Sequence, residues 1–290
     1  MNPSSFTDRL FALPQHLLPH HPLSRLAHYL TRCQHPAVKD FLIRKFIDLY
    51  QVDMSEVENP DPDSYPHFNA FFTRALKANA RPIPHQENAV LCPADGAISQ
   101  IGYIDGESII QAKGMSFSVN SLMGWDANRA EPFHFGSFAT IYLSPRDYHR
   151  LHMPVSGRLK QMIHVPGRLF SVNANTTRVV PELFARNERV IAIFETDLGP
   201  MALILVGAIF VASIETVWHG VVTPPTRPDI TLWDYSNESI FLERGSEMGR
   251  FNMGSTIIVS FGKNSVNWTD GLHAAMPVRM GELLGSGHTK

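Results

Sequence analysis

Cysteine is almost missing from this sequence. Cys33 and Cys92 are the only two, and neither falls in a CxxC or Cys/His spacing, which excludes a disulfide scaffold and a structural zinc site. A reducing compartment follows as the simpler expectation. Charge is scarce too: Asp, Glu, Lys and Arg make up 18% of the chain, against about 25% in ordinary globular proteins. Part of the surface is therefore expected to face something other than water. The 25 basic and 27 acidic residues leave a net charge of -2, and no basic stripe is present, so nucleic acid is excluded as a partner. Long apolar runs are missing as well. Gly199 to Ile214 is 16 uncharged residues broken by Pro200, short of the roughly 20 that a bilayer core demands. Pro14, His16, Pro19, His20, His21 and Pro22 interrupt any signal-peptide h-region, so the chain is expected to stay on the cytosolic side. No GxGxxG or P-loop motif occurs, which disfavours a doubly wound nucleotide-binding fold.

The 290 residues, 44% of them hydrophobic, suffice for one large domain or a domain with an extension. Leu23, Leu26, Ala27 and Leu30 recur at helical spacing, and Val38, Phe41, Leu42, Phe46 and Leu49 continue a second stripe. Arg25, His28 and Arg32 flank the first stripe; Lys39, Arg44 and Lys45 flank the second. Two readings stand: the stripes pack on the protein's own core, or they meet lipid while the basic flanks meet anionic headgroups. A turn-rich stretch from Glu58 to Pro66 reads as a linker. Residues 1–60 are thus expected to form a helical, membrane-associating region and 61–290 a β-rich catalytic domain.

From about Cys92 the period changes to two. Val190 to Thr196, Asp197 to Pro200 and Met201 to Val206 read as a hairpin, and Ala208 to Trp218 as a further strand. The fold class expected is α+β, a mostly antiparallel β body with an N-terminal amphipathic helical extension.

Three places could carry chemistry. Pro93-Ala-Asp95-Gly96 puts a carboxylate in a turn, where turn geometry alone would account for it. Tyr142 to Pro154 holds His149 and His152 three residues apart amid Pro, Arg and Asp. Helical i, i+3 spacing would suit metal ligation, but no nearby Glu or Cys completes a ligand set, so no metal is expected. Met253-Gly254-Ser255-Thr256 is a glycine-serine step before an apolar strand. Together these supply Asp, His and Ser, the parts of a nucleophile, its base and an orienting carboxylate. Such a serine can attack the carbonyl of its own preceding glycine. An N→O shift then gives an ester, β-elimination cuts the chain, and loss of ammonia leaves a ketone at the new N-terminus.

The chain resembles the bacterial phosphatidylserine decarboxylases, which are pyruvoyl-dependent. The resemblance lies in Pro93 to Gly96, Lys113-Gly114 with Phe117-Ser118, Tyr142 to Pro154, Pro166-Gly167 with Leu169 to Asn173, Asn187 to Val190, Ser213 to Trp218, and Glu247 to Phe251 leading into Gly254-Ser255-Thr256. Met253 stands where the family usually has leucine, a swap of similar volume. The resemblance implies that Asp95, His152 and Ser255 form a self-cleaving triad, and that cleavage between Gly254 and Ser255 yields a β chain, 1–254, and an α chain, 255–290. Ser255 would become the pyruvoyl cofactor and form a Schiff base with the substrate amine, an electron sink as carbon dioxide leaves. His149 would serve decarboxylation. The implied substrate is phosphatidylserine in the bilayer, converted to phosphatidylethanolamine. The implied setting is the cytoplasmic side of a bacterial cell membrane, reached through the N-terminal helices, with the cleaved pair further associated as a homodimer. Three other readings stay open: a serine hydrolase using Asp95, His152 and Ser255 on an external ester, a soluble pyruvoyl amino-acid decarboxylase, and a non-catalytic β module tethered to membranes. Against the hydrolase, the serine lacks a Gly-x-Ser-x-Gly elbow.

Overall fold

The computed structural model describes residues 13–16, 18–112, 114–209, 213–224, 229–253 and 256–288. Gly254 and Ser255, the expected cleavage pair, lie outside the described residues, as do Lys113 and the first twelve residues of the expected membrane region. The two stripes form helices α1 (His20–Thr31) and α2 (Pro36–Tyr50). Pro36 opens α2 in its first turn, where a missing N–H breaks no helical bond. Core packing accounts for only one side of the helices: Ile43, with Leu42, Phe46 and Ile47, packs on Phe68, Phe71 and Phe72 of the short helix α3 (Phe68–Phe72). Leu26, Tyr29, Leu30, Phe41 and Leu49 are exposed. The stretch expected to be a linker is ordered, because Tyr65 is buried and its hydroxyl donates to the Asn59 carbonyl at 2.7 Å.

The body is antiparallel β, as its period-two pattern demands. Its strands are β1 (Ala89–Leu91), β2 (Gly96–Tyr103), β3 (Ser108–Ala112), β4 (Met115–Ser118), β5 (Ser137–Tyr142), β6 (Arg150–His152), β7 (Gly157–Val165), β8 (Arg189–Thr196) and β9 (Gly199–Val206). Then come β10 (Ile214–Thr216), β11 (Gly220–Val221), β12 (Thr231–Asp234), β13 (Phe241–Leu242), β14 (Glu247–Phe251), β15 (Thr256–Phe261), β16 (Val266–Trp268), β17 (Pro277–Val278) and β18 (Leu283–Gly287). The main sheet runs β12-β7-β8-β9-β15-β5-β2-β17, with β13 also on β7. β15 lies inside it, paired over six residues with both β5 and β9. Ile257, Val259 and Phe261 point into one apolar core and Ile258 into another, so this sheet is buried on both faces at its centre.

A second sheet runs β11-β10-β14-β6, while β1, β18 and β16 form a third and β3 and β4 a hairpin. The strand expected over Ala208 to Trp218 shrinks, among the described residues, to β10. Val217 already belongs to the turn into β11, so an apolar run alone overstated its length. β14 pairs with β6, and the chain then passes through Asn252 and Met253 to join β15 in the other sheet. That crossing starts beside the histidine block, where Phe251 N–H donates to the His149 carbonyl at 3.1 Å.

Candidate active site

Asp95 sits in the turn before β2, and it is there because Gly96 is glycine: a Cβ at Gly96 would lie 2.2 Å from the Tyr142 carbonyl oxygen. The carboxylate is buried. Arg81 Nε donates to its Oδ1 at 2.9 Å, Arg81 Nη2 pairs with Oδ2, and the Met280 N–H donates to Oδ1 at 2.8 Å. Burial works against the Arg81 charge, but the hydrogen bond and charge of Asp95 outweigh it and hold the guanidinium above its ordinary value. Neither histidine ring is a hydrogen-bond partner of Asp95. The orienting contact expected between Asp95 and His152 is therefore absent: Arg81 and Met280 hold the carboxylate, and both ring nitrogens of His152 have other partners.

His152, on β6, uses both ring nitrogens elsewhere. Nδ1 lies 2.8 Å from the Gly245 carbonyl, which fixes a proton on that nitrogen, and Nε2 lies 3.0 Å from the Tyr148 hydroxyl, which must then donate. Burial holds this ring below the usual imidazole value, opposed by the Gly245 carbonyl and by the charges of Glu247 and Asp95.

His149, just before β6, is fully buried. Its Nδ1 donates to the Asp147 carbonyl at 2.8 Å, and its ring packs on Phe72 with centroids 4.1 Å apart. Nε2 is buried and meets no hydrogen-bond partner among the described residues. Burial, aided by the charge of Arg74, pushes this imidazole down to about 3. It is therefore neutral, with a bare lone pair on Nε2. The two histidines are three positions apart, an odd offset, so in an extended segment they face opposite sides. The shared-ion geometry of a helix does not arise, and among the described residues no cluster of His, Cys, Asp and Glu could hold a metal ion.

A cavity of about 200 Å³ opens beside Met253, with Phe46, Tyr50, Phe72, Tyr142 and Ile209 in its wall. An apolar groove of about 310 Å³ lies between α1 and α2, lined by Leu30, Phe41 and Leu49, and it shares Phe46 and Met253 with the cavity. Just past the expected cleavage pair, the Thr256 hydroxyl is buried without a partner among the described residues. Arg81, Tyr148, Gly245 and Phe72 were not singled out from sequence. Tyr148 lay within the histidine block, and Phe72 in an aromatic run, but a backbone carbonyl such as that of Gly245 leaves no sequence signal.

A family model described as phosphatidylserine decarboxylase matches residues 68–286, and one described as PSD matches 10–51. A phosphatidylserine decarboxylase proenzyme of Pseudomonas aeruginosa (strain LESB58) is 58% identical over 283 residues, covering 97% of this chain and 98% of its own. Proteins of the same name from Azotobacter vinelandii and Methylococcus capsulatus are each 56% identical, covering 96% of this chain and 98% and 96% of their own lengths.

Proposed function

The chain belongs to the phosphatidylserine decarboxylase family, and from that premise we propose that it is made as a precursor, cuts itself between Gly254 and Ser255, and decarboxylates phosphatidylserine with a pyruvoyl group derived from Ser255. The observation that supports this most is the pairing of β14 with β6. Through it the Phe251 N–H reaches the His149 carbonyl at 3.1 Å, four residues before Ser255. Residues far apart in sequence thus share one site.

The surroundings suit the group. Next to Met253 lies a cavity of about 200 Å³, and His149 Nε2 and the Thr256 hydroxyl are buried polar atoms without a partner among the described residues. Thr256 would follow the group in the chain and His149 would face the substrate. A pyruvoyl carbonyl supplies an electron-withdrawing centre that takes up the charge left as carbon dioxide departs. His152, held by Gly245, offers Nε2 as base for the Ser255 hydroxyl once Tyr148 releases it. Asp95 acts on it through charge, not contact. His149, neutral as built, gives a proton to the former Cα only after taking one up. A substrate carboxylate entering the cavity is the charge that favours that uptake.

The exposed faces of α1 and α2 support membrane docking: Tyr29 is 78%, Leu49 66% and Phe41 65% exposed. No described helix is long and apolar enough to cross a membrane. Docking at the surface places the groove, and through Phe46 and Met253 the cavity, next to lipid. Location at the cytoplasmic face and homodimer formation rest on the family resemblance alone.

Mass measurement on the purified protein, with carbon dioxide release from phosphatidylserine vesicles, tests the proposal. Two chains ending at 254 and starting at 255, with activity, are expected. A protein of full mass that still decarboxylates would defeat it, and an uncut chain that hydrolyses esters would favour the hydrolase.

A further inference from the structure

Between Asn252 and Thr256 the chain leaves one sheet for another, and both ends of the crossing are fixed. Asn252 is 1% exposed. Its N–H donates to the Ser213 carbonyl at 2.8 Å, its Nδ2 donates to Ser213 Oγ at 2.8 Å, and its Oδ1 accepts from Asn69 Nδ2 at 2.9 Å. Downstream, Thr256 is locked between Tyr142 and Val206 at the start of β15. Between these anchors Met253 has φ of 107°. Glycine enters this region freely, but a long L side chain does not, and such a conformation persists only where its surroundings over-determine it. The hydrogen bonds of Asn252 and the register of β15 are those surroundings.

We propose that Met253 is a positioning residue for self-cleavage: its strained backbone, clamped between Asn252 and β15 next to the peptide to be cut, raises the energy of the uncut chain, and the cut releases the strain. The proposal rests on the reading that the Gly254–Ser255 peptide is the one cut. In the acyl shift Ser255 Oγ bonds to the Gly254 carbonyl carbon, the C–N bond breaks, and the hydroxyl proton ends on the Ser255 nitrogen. Elimination then moves the Ser255 Cα proton to a base and breaks the Cβ–Oγ bond, so that Oγ leaves with Gly254 as its carboxylate. Water hydrolyses the remaining enamine end to ammonia and the ketone. The first step exchanges an amide for a less stable ester. A precursor already raised in energy at Met253 has less far to climb.

Met253 also lines the cavity and the groove, so two substitutions are needed to separate backbone from side chain. Met253→Ala removes the side chain yet leaves an L-residue at the strained angle, whereas Met253→Gly removes the strain as well. Self-cleavage is followed by gel in both, and stability by urea unfolding in a Ser255→Ala background that cannot cut. The Ala variant is expected to cut within about twofold of the parent and the Gly variant about tenfold more slowly, while the uncut Gly variant resists more urea than the uncut Ala variant. A merely structural role would move cleavage and stability the same way; strain moves them in opposite directions. Ser213→Ala, which removes one Asn252 contact and keeps Met253, is expected to slow cleavage as well. A Gly variant that cuts as fast as the Ala variant overturns the proposal alone. A parent chain that is never cut at Gly254 overturns the reading on which it rests, and the proposal with it.

Discussion

Tyr148 holds its hydroxyl 3.0 Å from His152 Nε2, and with the Gly245 carbonyl at Nδ1 it occupies the second of the two ring nitrogens. A donor on the lone pair favours the neutral ring. Tyr148→Phe should therefore raise the affinity of His152 for a proton and move the acid limb of self-cleavage to higher pH, with a loss of about 1 kcal/mol in stability for the missing bond. Gel assays across pH read the limb. An unchanged profile would show that His152 is not the base beneath that phenol.

Asp95 and Arg81 form a largely buried pair, their side chains 11% and 7% exposed. Breaking it from either side should lower stability by about 3–5 kcal/mol. If Asp95 has a further role in maturation, Asp95→Asn accumulates uncut precursor at temperatures where Arg81→Met, which loses the Glu56 ion pair as well, still cuts. Parallel unfolding curves and gels separate the two effects. Equal cleavage by both variants would reduce Asp95 to a structural residue.

His149 gives a pH signature. Its native value of about 3 lies below the unfolded value of about 6.5, so below pH 6.5 the unfolded chain binds a proton that the native chain refuses. Stability is fully present above pH 6.5 and lost as pH falls toward 3. In the uncut Ser255→Ala background, lowering pH from 7 to 5 should cost about 2 kcal/mol more with His149 than with His149→Asn. Urea titrations at the two pH values give the difference. His152, also held low by burial, adds a slope that both chains share.

In the chain able to cut, His149→Ala should still cleave but lose about 10²- to 10⁴-fold in turnover. Decarboxylation of vesicle substrate, normalised to cleaved protein, measures this. Failure to cleave would move His149 into the maturation step.

Phe41 and Leu49 project from α2 beside the groove and are exposed. Phe41→Asp with Leu49→Asp should lower affinity for anionic vesicles by about a hundredfold or more, each side chain being worth about 1.5–3 kcal/mol when buried, while cleavage in solution is unaffected. Flotation at low and high salt tests it. Flotation equal to that of the parent would remove α2 from the anchor.

Much of the fold was legible because local patterns wrote it. The hairpin of β8 and β9 was expected at Val190 to Val206 and lies at Arg189 to Val206, with its turn at Asp197-Leu198 and Gly199 and Pro200 already paired in β9, since alternation around a short turn is a local signal. The stripes of α1 and α2 were legible as helices, but the direction they face was not: helical periodicity marks an apolar face without saying what meets it. At the site the residue types were visible in three blocks. Their pairing was not, because Asp95 is claimed by Arg81, a residue outside any motif, and His152 by a backbone carbonyl, which carries no side-chain signal.

The piece expected after cleavage, 255–290, carries β15 to β18. β15 alone buries Ile257, Ile258, Val259 and Phe261, on the order of 6–12 kcal/mol of apolar burial. The two chains should therefore co-elute in native buffer and part only in denaturant. A small chain that separates without denaturant would contradict the strand order.

β15 lies inside its sheet with a partner on either side, so on the proposed reading the chain folds whole and is severed afterwards. Once severed, unfolding yields two molecules, and recovery becomes a second-order encounter that weakens with dilution, where the uncut chain needed only to close on itself. The longevity of the cut form then rests on how slowly it opens.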